Sequence, residues 1–213
     1  VLYRVPEFGT PQRIDLGIPD SDGFGHLAPV KGYPLALYTH WSPQPTGFSS
    51  SVHVVDVETG FTRQLVPRAS WGRYHSAGYL LFFRGGDIHA ASFDPGSFEV
   101  GRSFVLQSGV ATIGDDYQIL FDVSADVLAY YQGNSSIEQV SGRELLLIDG
   151  TGTTIPVDVE HKNYWDPRIS PDGRLVLTHA SSDATGSDIW LVDPARGTSR
   201  RMTTNPGEDE TAL

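Results

Sequence analysis

The sequence predicts an all-β fold, a β-propeller of four-stranded blades. Turn residues punctuate the whole chain, a hairpin unit recurs along it, and no stretch holds a helical period long enough for a helix. Glycine (23) and proline (14) supply 37 of the 213 residues, the composition of many short segments joined by turns. Charged residues make up 19% and hydrophobic ones 39%, enough apolar surface for a packed core and too little charge for disorder.

The repeat is an alternating apolar strand, an acidic or Gly-rich turn and a second alternating strand. A weak copy opens the chain at residues 2–9 (LYRVPEFG), running into TPQRIDL. Full copies follow at residues 52–60 (VHVVDVETG), 87–95 (DIHAASFDP), 144–150 (ELLLIDG) and 188–197 (DIWLVDPARG). Val52, Val54 and Asp56 show the period of two expected of a strand with one buried face. At each tip the Asp caps its own turn and Gly accepts positive φ, which suits a short hairpin. Asp56, Asp94, Asp149 and Asp193 are spaced by 38, 55 and 44 residues, against a propeller repeat of roughly 40–50.

A second hairpin precedes each of these. Residues 168–177 (RISPDGRLVL) read as strand, Pro-Asp-Gly turn, strand. Residues 73–82 repeat it with Ser-Ala-Gly at the turn, residues 122–130 repeat it without the Gly, and residues 27–38 repeat it loosely. Two hairpins make one blade. The approximate blades are residues 1–20 (partial), 21–67, 68–110, 111–160, 161–206 and 207–213, the start of another. About four and a half blades fit part of a ring of six or more, the preferred reading, or a closed five-bladed ring. Val1 is not a Met and no basic-then-apolar leader follows it, so a mature chain or an excised piece is expected.

At residues 168–173 (RISPDG) followed by 188–193 (DIWLVD), the chain resembles the WD-repeat-like propellers related to TolB. Within residues 70–110, the run RYHSAGYLLFFRGGDIHAASFDPGSFEVGRSFVLQSGV is similar to propellers attached to bacterial serine/threonine kinases and sensors. Ala77 stands where the turn Asp is usual, and Val127 follows Asp126 where Gly is usual. The resemblance implies a sensing or scaffolding domain in a periplasmic or other extracytoplasmic setting. It also brings in prolyl-oligopeptidase-type peptidases, whose similar propeller filters substrate, and funnel-site hydrolases or lactonases.

Composition and motifs narrow the function. A formal charge of −11 argues against nucleic acid or an anionic membrane surface as partner. The absence of cysteine excludes disulfides, thiolate metal sites and a cysteine nucleophile. The longest apolar runs, 78–83 and 145–148, are far short of the ~20 residues that span a bilayer. The seven histidines form no His-x-x-x-His or His-Glu-x-x-His pair, no serine sits in Gly-x-Ser-x-Gly, and no phosphate loop occurs. A Ser/His/Asp set remains open, because triads are assembled in space.

The candidate ligand residues lie where inner strands begin, around the mouth of a propeller's funnel: Asp115, Asp116, Asp122, Asp166, Arg168, Trp71 and Trp165. A ring of carboxylates there suits a hard cation such as Ca²⁺; the plainer reading is a solvated acidic mouth with no cofactor. Asp166 with Arg168 equally suits an ion pair between neighbouring blades, and Trp71 and Trp165 occupy matching places in two blades. The expectation is a non-catalytic module that binds a protein or small ligand on a propeller face, with self-association through open blade faces.

Overall fold

The computed structural model describes residues 2–4, 10–110, 112–113, 118–119, 121–124, 127–132, 144–159, 163–182 and 186–204. Among them are 21 strands and no helix. The chain forms two units, Val1–Leu106 and Gln107–Leu213, with the division a few residues before the blade boundary read from the repeat.

In the first unit, β1 (Leu2–Arg4) pairs antiparallel with β2 (Gln12–Ile14), the weak opening copy. The first full blade is β3 (Gly23–Val30), β4 (Leu35–Gln44), β5 (Gly47–Asp56) and β6 (Thr62–Pro67), in that order across the sheet. The second is β7 (Ser70–His75), β8 (Tyr79–Arg84) and β9 (Asp87–Asp94), with an outermost strand in two pieces, β10 (Glu99–Val100) and β11 (Phe104–Ser108), both paired to β9. The second unit opens with the pair β12 (Thr112–Ile113) and β13 (Gln118–Ile119). Its blades are β14 (Phe121–Ser124), β15 (Val127–Gln132), β16 (Glu144–Ile148) and β17 (Thr154–Pro156), then β18 (Asn163–Ile169), β19 (Val176–Ser182), β20 (Gly186–Asp193) and β21 (Thr198–Arg201). Four-stranded meanders of this kind are propeller blades, as the repeat predicts.

The tips obey the sequence. Asp56 accepts the amides of Glu58 and Thr59, Asp94 that of Gly96, Asp149 those of Thr151 and Thr153, and Asp193 that of Arg196. The Thr59 and Glu58 amides hold the Asp56 carboxyl below the usual range, while the hydroxyl of Ser97, then the Gly96 amide, does so for Asp94, and the hydroxyl of Thr151, then the Thr153 amide, for Asp149. In the inner turn, Asp172 accepts from Ser170 Oγ and the Arg174 amide, and Gly173 has φ 73°.

Each unit buries a seam between its two blades. In the first, Leu37, Val52 and Val54 meet Leu80, Phe82, Ala91 and Phe93. In the second, Ala129, Tyr131, Leu145 and Leu147 meet Val176, Ala180 and Val192. Period-two alternation leaves Tyr38 and Val55 for the opposite face of the first blade, where Ile14 and Leu16 cover them. Of the apolar residues on β20 only Val192 is fully buried; Ile189, Trp190 and Leu191, which the alternation alone would place between blades, are half-buried.

Candidate functional site

An innermost strand that stayed in register would point every other residue at its neighbour. In three blades it slips instead. The ladder shifts between Gly25 and Ala28, between Ser70 and Arg73, and between Trp165 and Arg168. The residue just inside each slip is left-handed: His26 (φ 53°), Trp71 (φ 57°) and Asp166 (φ 50°). None is glycine, so each costs of order 1 kcal/mol that its surroundings must offset. Such a bulge re-aims a side chain without breaking the sheet.

In the first unit the re-aimed groups stack. The His26 ring lies 3.7 Å from Trp71 and 5.0 Å, edge-on, from Trp41. The Arg73 guanidinium sits 5.1 Å over the Trp71 ring and donates to the Gly72 carbonyl. The Trp71 amide donates to Thr39 Oγ1 of the preceding blade at 2.9 Å. Close approach explains Gly72: a Cβ there would lie 2.7 Å from Val52 Cγ1. Trp71 and Arg73 are only 3% and 6% exposed, His26 is half-buried and the adjoining Leu27 is exposed.

In the second unit the same position is ionic. Arg168 Nη1 donates to Asp166 Oδ1 at 2.7 Å, within one strand and across its bulge rather than between blades. The Ile169 amide donates to Asp122 Oδ2 of the preceding blade at 3.0 Å, and Asp122 is 8% exposed. The structure therefore sets the Asp166–Arg168 pair across the bulge and Asp122 on the amide just past it. Asp115, Asp116 and Asp126 lie outside the described residues, as does the side chain of Trp165. Trp71 and Trp165 are not equivalent: aligned on Arg73 and Arg168, Trp71 matches Asp166 and Trp165 matches Ser70. Sequence reasoning missed His26, Trp41 and Arg73; the signal was the spacing Trp71-x-Arg73 against Asp166-x-Arg168.

A second polar cluster covers the other face of β4 and β5. Asp22 Oδ2 accepts from Ser42 Oγ (2.7 Å) and His40 Nε2 (2.9 Å), while Ser21 donates to Oδ1. Those hydroxyls, with His40, hold the Asp22 carboxyl low. Ser51 Oγ meets His53 Nε2 at 2.9 Å, and Tyr38 Oη lies 3.4 Å from Nδ1. Burial first, then the nearby His40, lowers His53 to about 4. This is not triad geometry: Ser42 and His40 share one carboxylate oxygen, and among the described residues the partners of His53 are the hydroxyls of Ser51 and Tyr38. Among the described residues, no group of three or more His, Cys, Asp or Glu side chains is placed to hold a metal.

Similar surface notches, each between two blades of one unit, flank the hairpin ends. One of about 650 Å³ is lined by Arg63, Asp94, Phe98 and Glu99, among others. The other, about 720 Å³, has Leu147, Ile155, Leu175 and Arg196 in its wall.

No family model and no curated protein sequence matches the chain. Solved structures do. It is similar to a prolyl endopeptidase (16% identity, 94% of this chain and 28% of that one, TM-score 0.57). It is similar to a puromycin hydrolase (11%, 95% and 41%, TM-score 0.55), and to a putative TolB from Agrobacterium tumefaciens (14%, 78% and 60%, TM-score 0.53). At these identities the likeness shows the fold, a β-propeller, and the chain spans less than two thirds of each of these proteins. No described helix is long and apolar enough to cross a membrane.

Proposed function

We propose that this propeller module recognises a protein segment or small ligand at its inner-strand bulges and carries out no chemistry of its own. The observation that carries the reading is the recurrence of a left-handed, non-glycine residue at one blade position, filled by His26, Trp71 and Asp166 in turn. Backbone strain kept at a fixed place, while the side chain there changes, marks a recognition position on a constant scaffold. His26 and exposed Leu27 form the accessible edge; Trp71, Arg73 and Thr39 hold it from behind. Titrating defined unstructured peptides while following tryptophan fluorescence tests this. Binding that falls about tenfold in Leu27→Ala, with unchanged melting, supports it. Hydrolysis of peptide or ester substrates by the chain itself overturns it.

A second reading places the propeller beside a separate peptidase domain, gating its substrate. The likeness to the prolyl endopeptidase and the puromycin hydrolase favours it. A Gly-x-Ser-x-Gly hydrolase domain encoded in the same reading frame decides for it.

A further inference from the structure

The outermost strand of a blade exposes a row of unpaired backbone groups, which proteins blunt with charge, proline or brevity. Three outermost strands here are blunted. β6 carries Arg63 and ends on Pro67, β17 is three residues long and ends on Pro156, and β21 ends on Arg200 and Arg201. β11 is not: it has neither charge nor proline, and among the described strands its partner is β9 alone. Its residues Phe104, Val105 and Leu106 are 52%, 49% and 42% exposed.

We propose that the β11 edge pairs antiparallel with the β11 edge of a second copy of this chain. A two-fold axis through Val105 sets Phe104 opposite Leu106 on both sides and Val105 against itself, an all-apolar ladder. Electrostatics select the same place. A net charge of −11 makes copies repel, yet residues 101–110 contain no acidic residue and a single Arg102. Pairing two short strands buries less than a standard interface, so the dimer forms only at high concentration.

Light scattering over a hundredfold concentration range on the 213-residue chain, its Val105→Lys variant and its Val105→Thr variant provides the test. The mass of the parent chain rises toward roughly twice the monomer, Val105→Thr follows it, and Val105→Lys stays monomeric with an unchanged circular dichroism spectrum. Hydrogen exchange at Phe104–Leu106 slows as the parent chain associates. A parent chain that stays monomeric throughout overturns the proposal. So does a Val105→Lys variant that associates equally well, an outcome that transfers association to the open blade faces.

Discussion

The two units solve the same joining problem with different chemistry. Each ties an inner-strand amide to the preceding blade, at the bulge itself in the first unit (Trp71) and three residues past the left-handed Asp166, back in register, in the second (Ile169). The first uses the neutral hydroxyl of Thr39 on the Trp71 amide, with stacked rings around it. The second uses the carboxylate of Asp122 on the Ile169 amide, beside the Asp166–Arg168 pair. Their seams differ likewise. The first is apolar around Phe82, whereas the second carries a hydroxyl pair, Tyr131 to Thr178, at 3.1 Å. Both the position of the tie along the inner strand and its polarity thus differ between the units.

The largest effect should come from the apolar seam. Phe82 is fully buried, and Phe82→Ala should cost about 3–5 kcal/mol in denaturant unfolding, through lost burial and a cavity. The joining bonds come next. Asp122→Ala leaves the Ile169 amide without its charged acceptor and should cost about 2–3 kcal/mol, while Thr39→Val should cost about 1–2. Equal losses at the two positions would erase the distinction between a charged and a neutral tie.

The outer hairpins sharpen the comparison. Phe98 (φ 59°) and Gly197 (φ 61°) share one backbone conformation. Phe98 stacks on Phe61 at 5.9 Å, whereas a Cβ on Gly197 would sit 2.9 Å from the Asp158 carbonyl oxygen. Gly197→Ala should therefore lose about 1–2 kcal/mol. Phe98→Gly should change stability by less than about 1 kcal/mol, because relief of the left-handed strain offsets the lost stacking. Melting of both variants checks the pair.

The smallest effect is pH dependence from the first unit. His53 is held near 4 when folded, against about 6.5 unfolded. Below pH 6.5 the unfolded chain binds the extra proton, so stability falls as pH drops from 6.5 towards 4 and is constant above. For a half-buried ring this amounts to about 1 kcal/mol after allowing for solvent screening. His53→Asn should flatten the slope of unfolding midpoints across that window. The low carboxyls at the tips give a separate loss at more acidic pH, because their folded values lie below the ordinary carboxylate range.

What was legible in the sequence was local. An Asp followed by a Gly declares a capped hairpin, and Asp56, Asp94, Asp149 and Asp193 all cap their own tips. Gly173 takes the positive φ its turn requires. Period-two alternation located the strands but did not say which face meets a neighbour. Ile189 and Leu191 alternate as cleanly as Val192, yet only Val192 is wholly buried. Ile189→Ala should accordingly cost less than the 2–5 kcal/mol typical of a buried position. The bulges left no hydrophobic signature, because one extra residue shifts a register without changing composition. Both blades carry the same slip before the matching Arg73 and Arg168, so Trp71 aligns with Asp166 instead of Trp165.

Amide hydrogen exchange at Trp71 and Ile169, followed residue by residue, tests most directly whether the bulged strands are tied scaffolds. The Trp71 amide lies at a slip in the ladder and the Ile169 amide just past one, and both donate to a side chain of the preceding blade. The account predicts protection matching the core strands β8 and β19, lost selectively at Trp71 in Thr39→Val and at Ile169 in Asp122→Ala. Exchange at the rate of the exposed turns, in the unaltered chain, would contradict it.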